Sequence, residues 1–299
     1  GLEAGARCLR TVGREADAQR AAAEAAAYRR DIEAAMRRSV FEHEGQRLLP
    51  ILPASRAWLE RANYGSTGYY SLFASLILDT EFLPAGDPHA TLLISALEQR
   101  GGLCAGTCTF FDDIDHGFTY GYWLEMLKRG EPKKAILGLY GSLAYGMSHS
   151  TYSSVECTRI ESGGNAPTLP HLRSGTQQLK LLRMMLVREA GERLILAQAA
   201  PQHWLKQGQC VEVQNAPTMF GPVSYTIQSA VDQGRMTVQL TPPTRNPPEE
   251  IQVFVRHPEG KPIQQVTLGG KPLDTFNADS VTLREPGEPL TLELHYAAK

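Results

Sequence analysis

Near residue 190 the sequence changes its period, and this change limits the folds open to the chain more than anything else in it. Downstream lie eight segments: "RLILAQAAP", "QCVEVQNAP", "VSYTIQSAV", "RMTVQLTPP", "EIQVFVRHP", "IQQVTLGG", "SVTLREPG" and "LTLELHYA". Apolar and polar residues alternate in each, and each stops at or near Gly, Pro or Asn. A period of two sends successive side chains to opposite faces, as in a strand with one face in a core. So many short strands at this spacing predict an antiparallel β-sandwich over 191–299. Gln233-Gly234 and Gly269-Gly270 read as hairpin turns. Prolines fall at strand ends, where a missing donor costs little.

Upstream the text is helical. "READAQRAAAEAAAYRRDIEAAMRRSV" has high helix propensity and places Ala25, Tyr28, Ile32, Ala35 and Met36 at helical spacing. "TGYYSLFASLILDT" is a shorter, more apolar helix. "DPHATLLISALEQRGG" offers Asp87 as N-cap, Pro88 at the first helical position and glycine past the end. "GFTYGYWLEMLKRG" and "EPKKAILGLYGSLAYGMSH" pair around Gly130. In "SGTQQLKLLRMMLVREAG" the spacing puts Leu179, Leu182, Met185 and Leu186 on one face, with Gly191 as the stop. The expected class is α+β and multidomain: helical hairpins over 1–190, then the sandwich, packed together without a flexible linker. The long loops Val40–Gly65, Gly101–Gly117 and His149–Ser174 are expected at one end of the helices, a usual place for binding residues.

The totals exclude several functions. In 299 residues 42% are hydrophobic and 21% charged, and formal net charge is −2. The basic residues are dispersed, which disfavours nucleic acid. No apolar run nears the roughly 20 residues that cross a bilayer. Cys8, Cys104, Cys108, Cys157 and Cys210 are odd in number and scattered. "CAGTC" has no second pair for a zinc site, so these read as free small hydrophobes or, for Cys104 and Cys108, a local disulfide. The sequence opens as though inside a helix and reads as a piece of something longer. Phosphate-loop, dinucleotide, serine-hydrolase and zinc-protease motifs are missing, and no cofactor is expected.

Three clusters could carry chemistry. In "HSTYSSVECTRIESGG", Glu156 stands near His149, Tyr152 and Arg159 and could act as a general base on water; a solvated loop acid is the plain alternative. "TFFDDIDHGFTYGYW" brings Asp112, Asp113, Asp115 and His116 beside Tyr120, Tyr122 and Trp123. Carboxylates accept hydrogen bonds from sugar hydroxyls, and rings stack on apolar sugar faces. The acids could also hold a hard cation, but the EF-hand spacing is missing and no metal is expected. "PASRAWLERANYGSTGYY" adds Trp58 and Arg61 as surface or site candidates, while Tyr69 and Tyr70 read as core.

The passage from "LRMMLVREAGERLILAQAAPQHWL" through "IQQVTLGGKPL" resembles the last toroid helix and following sandwich of bacterial (α/α)6-toroid glycoside hydrolases of the glucoamylase-like type. The resemblance covers most of the chain, but its clearest text is scaffold. It implies that Glu131–His149 and Ser174–Ala190 are the eleventh and twelfth toroid helices. Glu156 matches the position of the catalytic base, with Glu161 in reserve. About seven of twelve helices would be present, and the general acid would lie before Gly1. An upstream segment or another chain would then complete the toroid. The implied partner is an oligo- or polysaccharide, with Asp112, Asp113, Asp115 and His116 on its hydroxyls and Tyr120, Trp123, Trp58 and Tyr152 stacking. The resemblance favours a periplasmic or extracellular place over the cytoplasm. Two alternatives remain: a polysaccharide lyase using His149, Tyr152, Asn63 and Arg61, and a non-catalytic carbohydrate-binding or scaffold module.

Overall fold

A computed structural model describes residues 1–53, 56, 69–80, 82–166 and 168–297. Trp58, Arg61 and Asn63 lie outside the described residues. The architecture is mixed α+β, with seven helices and four sheets among the described residues.

The helices are α1 (Leu2–Thr11), α2 (Glu15–Ser39), α3 (Tyr70–Asp79), α4 (Pro88–Gln99), α5 (Tyr120–Lys128), α6 (Pro132–Tyr145) and α7 (Leu172–Leu186). Asp87 caps α4, its carboxylate accepting from His89 N, and Pro88 opens the helix, as the sequence predicts. The long Ala-rich α2 fully buries only Ala18 and Ala25; of its expected apolar stripe, Ile32, Ala35 and Met36 are half-buried and Tyr28 is exposed. The core of this half gathers Tyr70, Leu93, Leu97, Trp123, Met126, Leu127, Leu181 and Met185. Glycine sets its tightness. A Cβ on Gly121 would lie 1.8 Å from Ser75 O, and one on Gly138 would lie 2.1 Å from Trp123 Nε1. Helices α3 and α5 therefore touch backbone to backbone, which only glycine permits there.

The expected loops are partly strands. A hairpin of β1 (Phe41–His43) and β2 (Gln46–Leu48) follows α2. The segments expected as loops at 101–117 and 149–174 supply β3 (Leu103–Cys104), β4 (Thr107–Phe110), β5 (Asp113–Asp115), β6 (Cys157–Arg159) and β7 (Asn165–Ala166). These make one five-stranded antiparallel sheet in chain order, joined at its middle by β5 and β6.

Helix α7 ends at Leu186, not Ala190. Val187–Ala190 is a strand, β8, that turns at Gly191 and pairs with β9 (Arg193–Leu196). Val187 adopts φ −141° and ψ 110°, so the chain passes from helix to strand with no linker. All eight segments read by alternation contain strands. These are β9, β10 (Cys210–Ala216), β11 (Val223–Ala230), β12 (Arg235–Thr241), β13 (Glu250–Phe254), β14 (Ile263–Leu268), β16 (Ser280–Arg284) and β17 (Leu290–Tyr296). With β8 and β15 (Lys271–Pro272) they form a six-stranded sheet, β10-β11-β12-β17-β14-β15, and a four-stranded one, β16-β13-β9-β8. The expectation of a wholly antiparallel sandwich is corrected at one place, where β9 and β13 pair in parallel. The chain leaves β9, makes three strands of the other sheet, and returns in the same direction.

Buried Gln198 joins the two halves. Its Nε2 donates to Leu127 O of α5 at 2.8 Å, and its Oε1 accepts from Arg188 Nε of β8 at 2.8 Å. All five cysteines are unpaired. Buried Cys108 donates to Ser71 O, and burial pushes its thiol up to about 12. None of the described helices is long and apolar enough to cross a membrane.

Candidate functional site

Pairing of β5 with β6 sets Asp115 opposite Cys157 and Asp113 opposite Arg159. Just beyond the paired residues, His116 N donates to Glu156 O at 2.9 Å, and Glu156 N donates to Thr168 O at 3.1 Å. The Glu156 backbone is thus held on both sides, and its half-buried carboxylate reaches outward. His171 Nε2 stands 4.0 Å from Glu156 Oε1. The His171 ring is fixed from behind, with Nδ1 2.7 Å from the hydroxyl of buried Ser174 and its backbone N donating to Ser154 O. Arg173 donates from Nε to Gly117 O at 2.7 Å and lies over the Phe118 ring. Gly117 sits among these groups: a Cβ there would touch Arg173, His171 and Asp115.

Asp115 is only 3% exposed. Its Oδ1 accepts from Gly117 N at 2.8 Å, and its Oδ2 faces Cys157 Sγ at 3.6 Å. Burial, reinforced by the Glu156 charge, pushes this carboxyl up to about 6, against the Gly117 and Cys157 hydrogen bonds and His171. The Cys157 thiol is pushed up by burial and by Asp115. The cluster therefore holds one half-buried carboxylate, one buried carboxyl that protonates in mild acid, and a half-buried imidazole beside the first.

The expected site residues separate into three groups. Asp115 and Glu156 come together. Asp113 is half-buried near exposed Asp112, and burial raises its carboxyl while Arg159 opposes that rise. The remaining residues lie elsewhere. Trp123, expected to stack on sugar, is fully buried and donates to Gly106 O at 2.7 Å. It is a core residue, because α5 turns that face inward against Gly138. His116, expected to bind substrate, is also fully buried. Its Nε2 meets Thr158 Oγ1 at 3.1 Å, and Thr158 spends its only hydroxyl hydrogen on Tyr145 O. His116 must then donate from Nε2, and burial lowers it to about 4, so the ring is neutral. Tyr120 is half-buried beneath Lys180, whose Nζ lies 3.6 Å from the ring centre. Tyr152 and His149 are exposed beside the α6 end, and Glu161 is exposed in the β6–β7 turn. Among the described residues no three His, Cys, Asp or Glu side chains are grouped to hold a metal ion.

Sequence reasoning missed His171, Arg173 and Cys157. The available signal was the position of His171 and Arg173 at the start of α7, directly after the loop that carries Glu156. Compared with known proteins, the chain matches no family model and no curated sequence.

Proposed function

We propose that the chain is the C-terminal portion of a carbohydrate-active hydrolase of (α/α)6-toroid type, with Glu156 as the general base that activates water. The observation that carries this is the placement of Glu156: backbone fixed by His116 and Thr168, side chain half-exposed, and a clamped imidazole within ion-pairing distance. A base must be held still and still reach water, and this one has both properties. Asp115 is too buried to touch a sugar. Its role is positioning: it keeps a carboxyl behind the site and affects how its neighbours ionise. The general acid that glycoside hydrolysis requires then comes from an upstream segment or another chain. Leu172 and Leu179, seven residues apart on one face of α7 and both exposed, support a covering partner there.

Glu156→Gln keeps shape and removes the base. It is expected to lower kcat of the completed enzyme about a thousandfold, within the range for lost general-base catalysis, with substrate affinity retained. Turnover near that of the unaltered enzyme sinks the assignment. The purified chain alone is expected to show little hydrolysis of oligosaccharides, and substantial turnover by it would remove the need for an outside acid.

A further inference from the structure

The basic side chains of α7 and its N-cap are His171, Arg173, Lys180 and Arg183. His171, Lys180 and Arg183 stand within 4.0 Å of the carboxylates of Glu156, Asp79 and Glu189. Arg173 has no such neighbour among the described residues, although the fold fixes it more firmly than an exposed arginine needs. Its Nε donates to Gly117 O at 2.7 Å, and its Cζ lies 4.0 Å from the centre of the Phe118 ring. The fold thus occupies one face of the guanidinium and its Nε, and neither contact uses Nη1 or Nη2. Ordering a long side chain costs rotamer entropy, and here no internal ion pair offsets it. A guanidinium held in one plane with both terminal amino groups free is the arrangement that grips a carboxylate through two parallel bonds.

Position says what this group would meet. A Cβ on Gly117 would lie 3.4 Å from Arg173 Cδ and 3.4 Å from His171 Cε1, and His171 Nε2 is 4.0 Å from Glu156 Oε1. Only Gly117 and the imidazole stand between the arginine and the base carboxylate. A neutral sugar at Glu156 gains little from a fixed cation beside it. A sugar that carries its own carboxylate needs one, because otherwise it meets the like charge of Glu156 uncompensated.

We propose that Arg173 is a specificity-determining residue that grips the carboxylate of a uronic acid, so that the oligosaccharide presented to Glu156 is an acidic one. Nη1 and Nη2 donate to the two carboxylate oxygens, and the Gly117 carbonyl and the Phe118 ring keep the guanidinium in the plane this requires. The uronate is the unit at Glu156 or the one beside it. The proposal rests on the carbohydrate reading above and names the substrate class of that same site.

The test uses the full chain and calorimetry with hexamers of galacturonate, mannuronate and glucuronate, beside neutral cellohexaose and maltohexaose and a sulfated maltohexaose. At least one uronate hexamer is expected to bind about tenfold more tightly than either neutral hexamer. Arg173→Lys keeps the charge and loses the paired donors. It is expected to weaken that uronate binding about tenfold, with neutral binding and melting temperature unchanged. A lower melting temperature with all hexamers weakened alike would mark a structural arginine and overturn the proposal. Equal binding of uronate and neutral hexamers, or equal uronate binding by the unaltered chain and Arg173→Lys, overturns it and leaves the carbohydrate reading standing. Sulfated maltohexaose binding as tightly as the uronates would show undirected attraction of charge and also overturn it. Failure of every hexamer to bind the unaltered chain overturns the proposal and the carbohydrate reading together.

Discussion

The two halves of the molecule bury different chemistry. The sandwich closes over Leu194, Leu196, Ile227, Val238, Ile251, Val253, Leu292 and Leu294, an interior of aliphatic side chains. Its buried Ser229 donates to Leu205 O, Tyr225 donates to Leu186 O, and buried Arg188 donates to Gln198 Oε1. The helical half has an apolar core too, but buries Asp115, His116, Glu125, Gln177 and Gln178 around the five-stranded sheet. Aliphatic burial stabilises without specifying a reaction, whereas buried ionisable groups cost stability and are where perturbed acid–base chemistry arises. Both halves bury ionisable groups, Arg188 and His257 in the sandwich, but among the described residues only the helical half buries carboxyls, those of Asp115 and Glu125.

The most severe way to break that contrast is to attack the helical half at its tightest contact. In Gly121→Ala the new methyl must displace Ser75 O, a backbone atom that cannot swing away. A loss of about 3 kcal/mol or more is expected, above the usual cost of overpacking because backbone must move. Urea unfolding with near-ultraviolet dichroism from buried Trp123 measures it. Unchanged stability would mean that α3 and α5 do not meet as described.

Acid titration gives an effect of similar size. Asp115 has an ordinary value of 3.8 and is raised to about 6 in the fold, so the folded chain holds its proton longer. The stability this adds is complete below 3.8 and is lost as pH rises through 6. His116 has an ordinary value of 6.5 and is lowered to about 4, so the unfolded chain protonates first. The stability it adds is present above 6.5 and is lost as pH falls through 4. Each effect is on the order of 3 kcal/mol, and they oppose each other between pH 4 and 6. A nearly flat profile is expected across that window. Asp115→Asn should leave stability rising with pH, and His116→Gln should leave it falling. Urea midpoints at pH 4, 5, 6 and 7 decide this, and slopes of the same sign in both variants would break the assignment. The sandwich groups shifted by burial, Tyr225, Tyr296 and Arg256, titrate well above this range.

Legibility also differs between the halves. The sandwich was readable because each strand is long enough to show several alternations, and one buried face fixes the pattern. The five-stranded sheet was not, because its strands are two to four residues long and rich in Asp, Cys and Thr. Its pairing is remote: Asp115 and Cys157 are 42 residues apart in the chain. Local chemistry picked out Asp115, and position before the last helix picked out Glu156. His171 and Arg173 became visible only when the folded chain set them around Gly117.

Helix α7 shows how polar partners override a leucine period. Leu179 fits the expected stripe but is 69% exposed, while Gln177, Gln178, Leu181, Met184 and Met185 face inward. Gln178 Nε2 donates to Ser142 O at 3.3 Å, its Oε1 accepts from Ser154 Oγ at 3.0 Å, and Gln177 Oε1 accepts from Tyr120 N at 3.1 Å. These bonds satisfy groups at the end of α6 and the start of α5, and they rotate the helix so that a leucine faces water. Leu179→Gln should therefore change stability by less than about 0.5 kcal/mol, against about 2–5 kcal/mol for Leu181→Ala in the core. Equal losses in urea would restore the simple period. If a partner covers this face, Leu179→Gln should weaken that association in sedimentation while leaving the unfolding curve of the isolated chain in place.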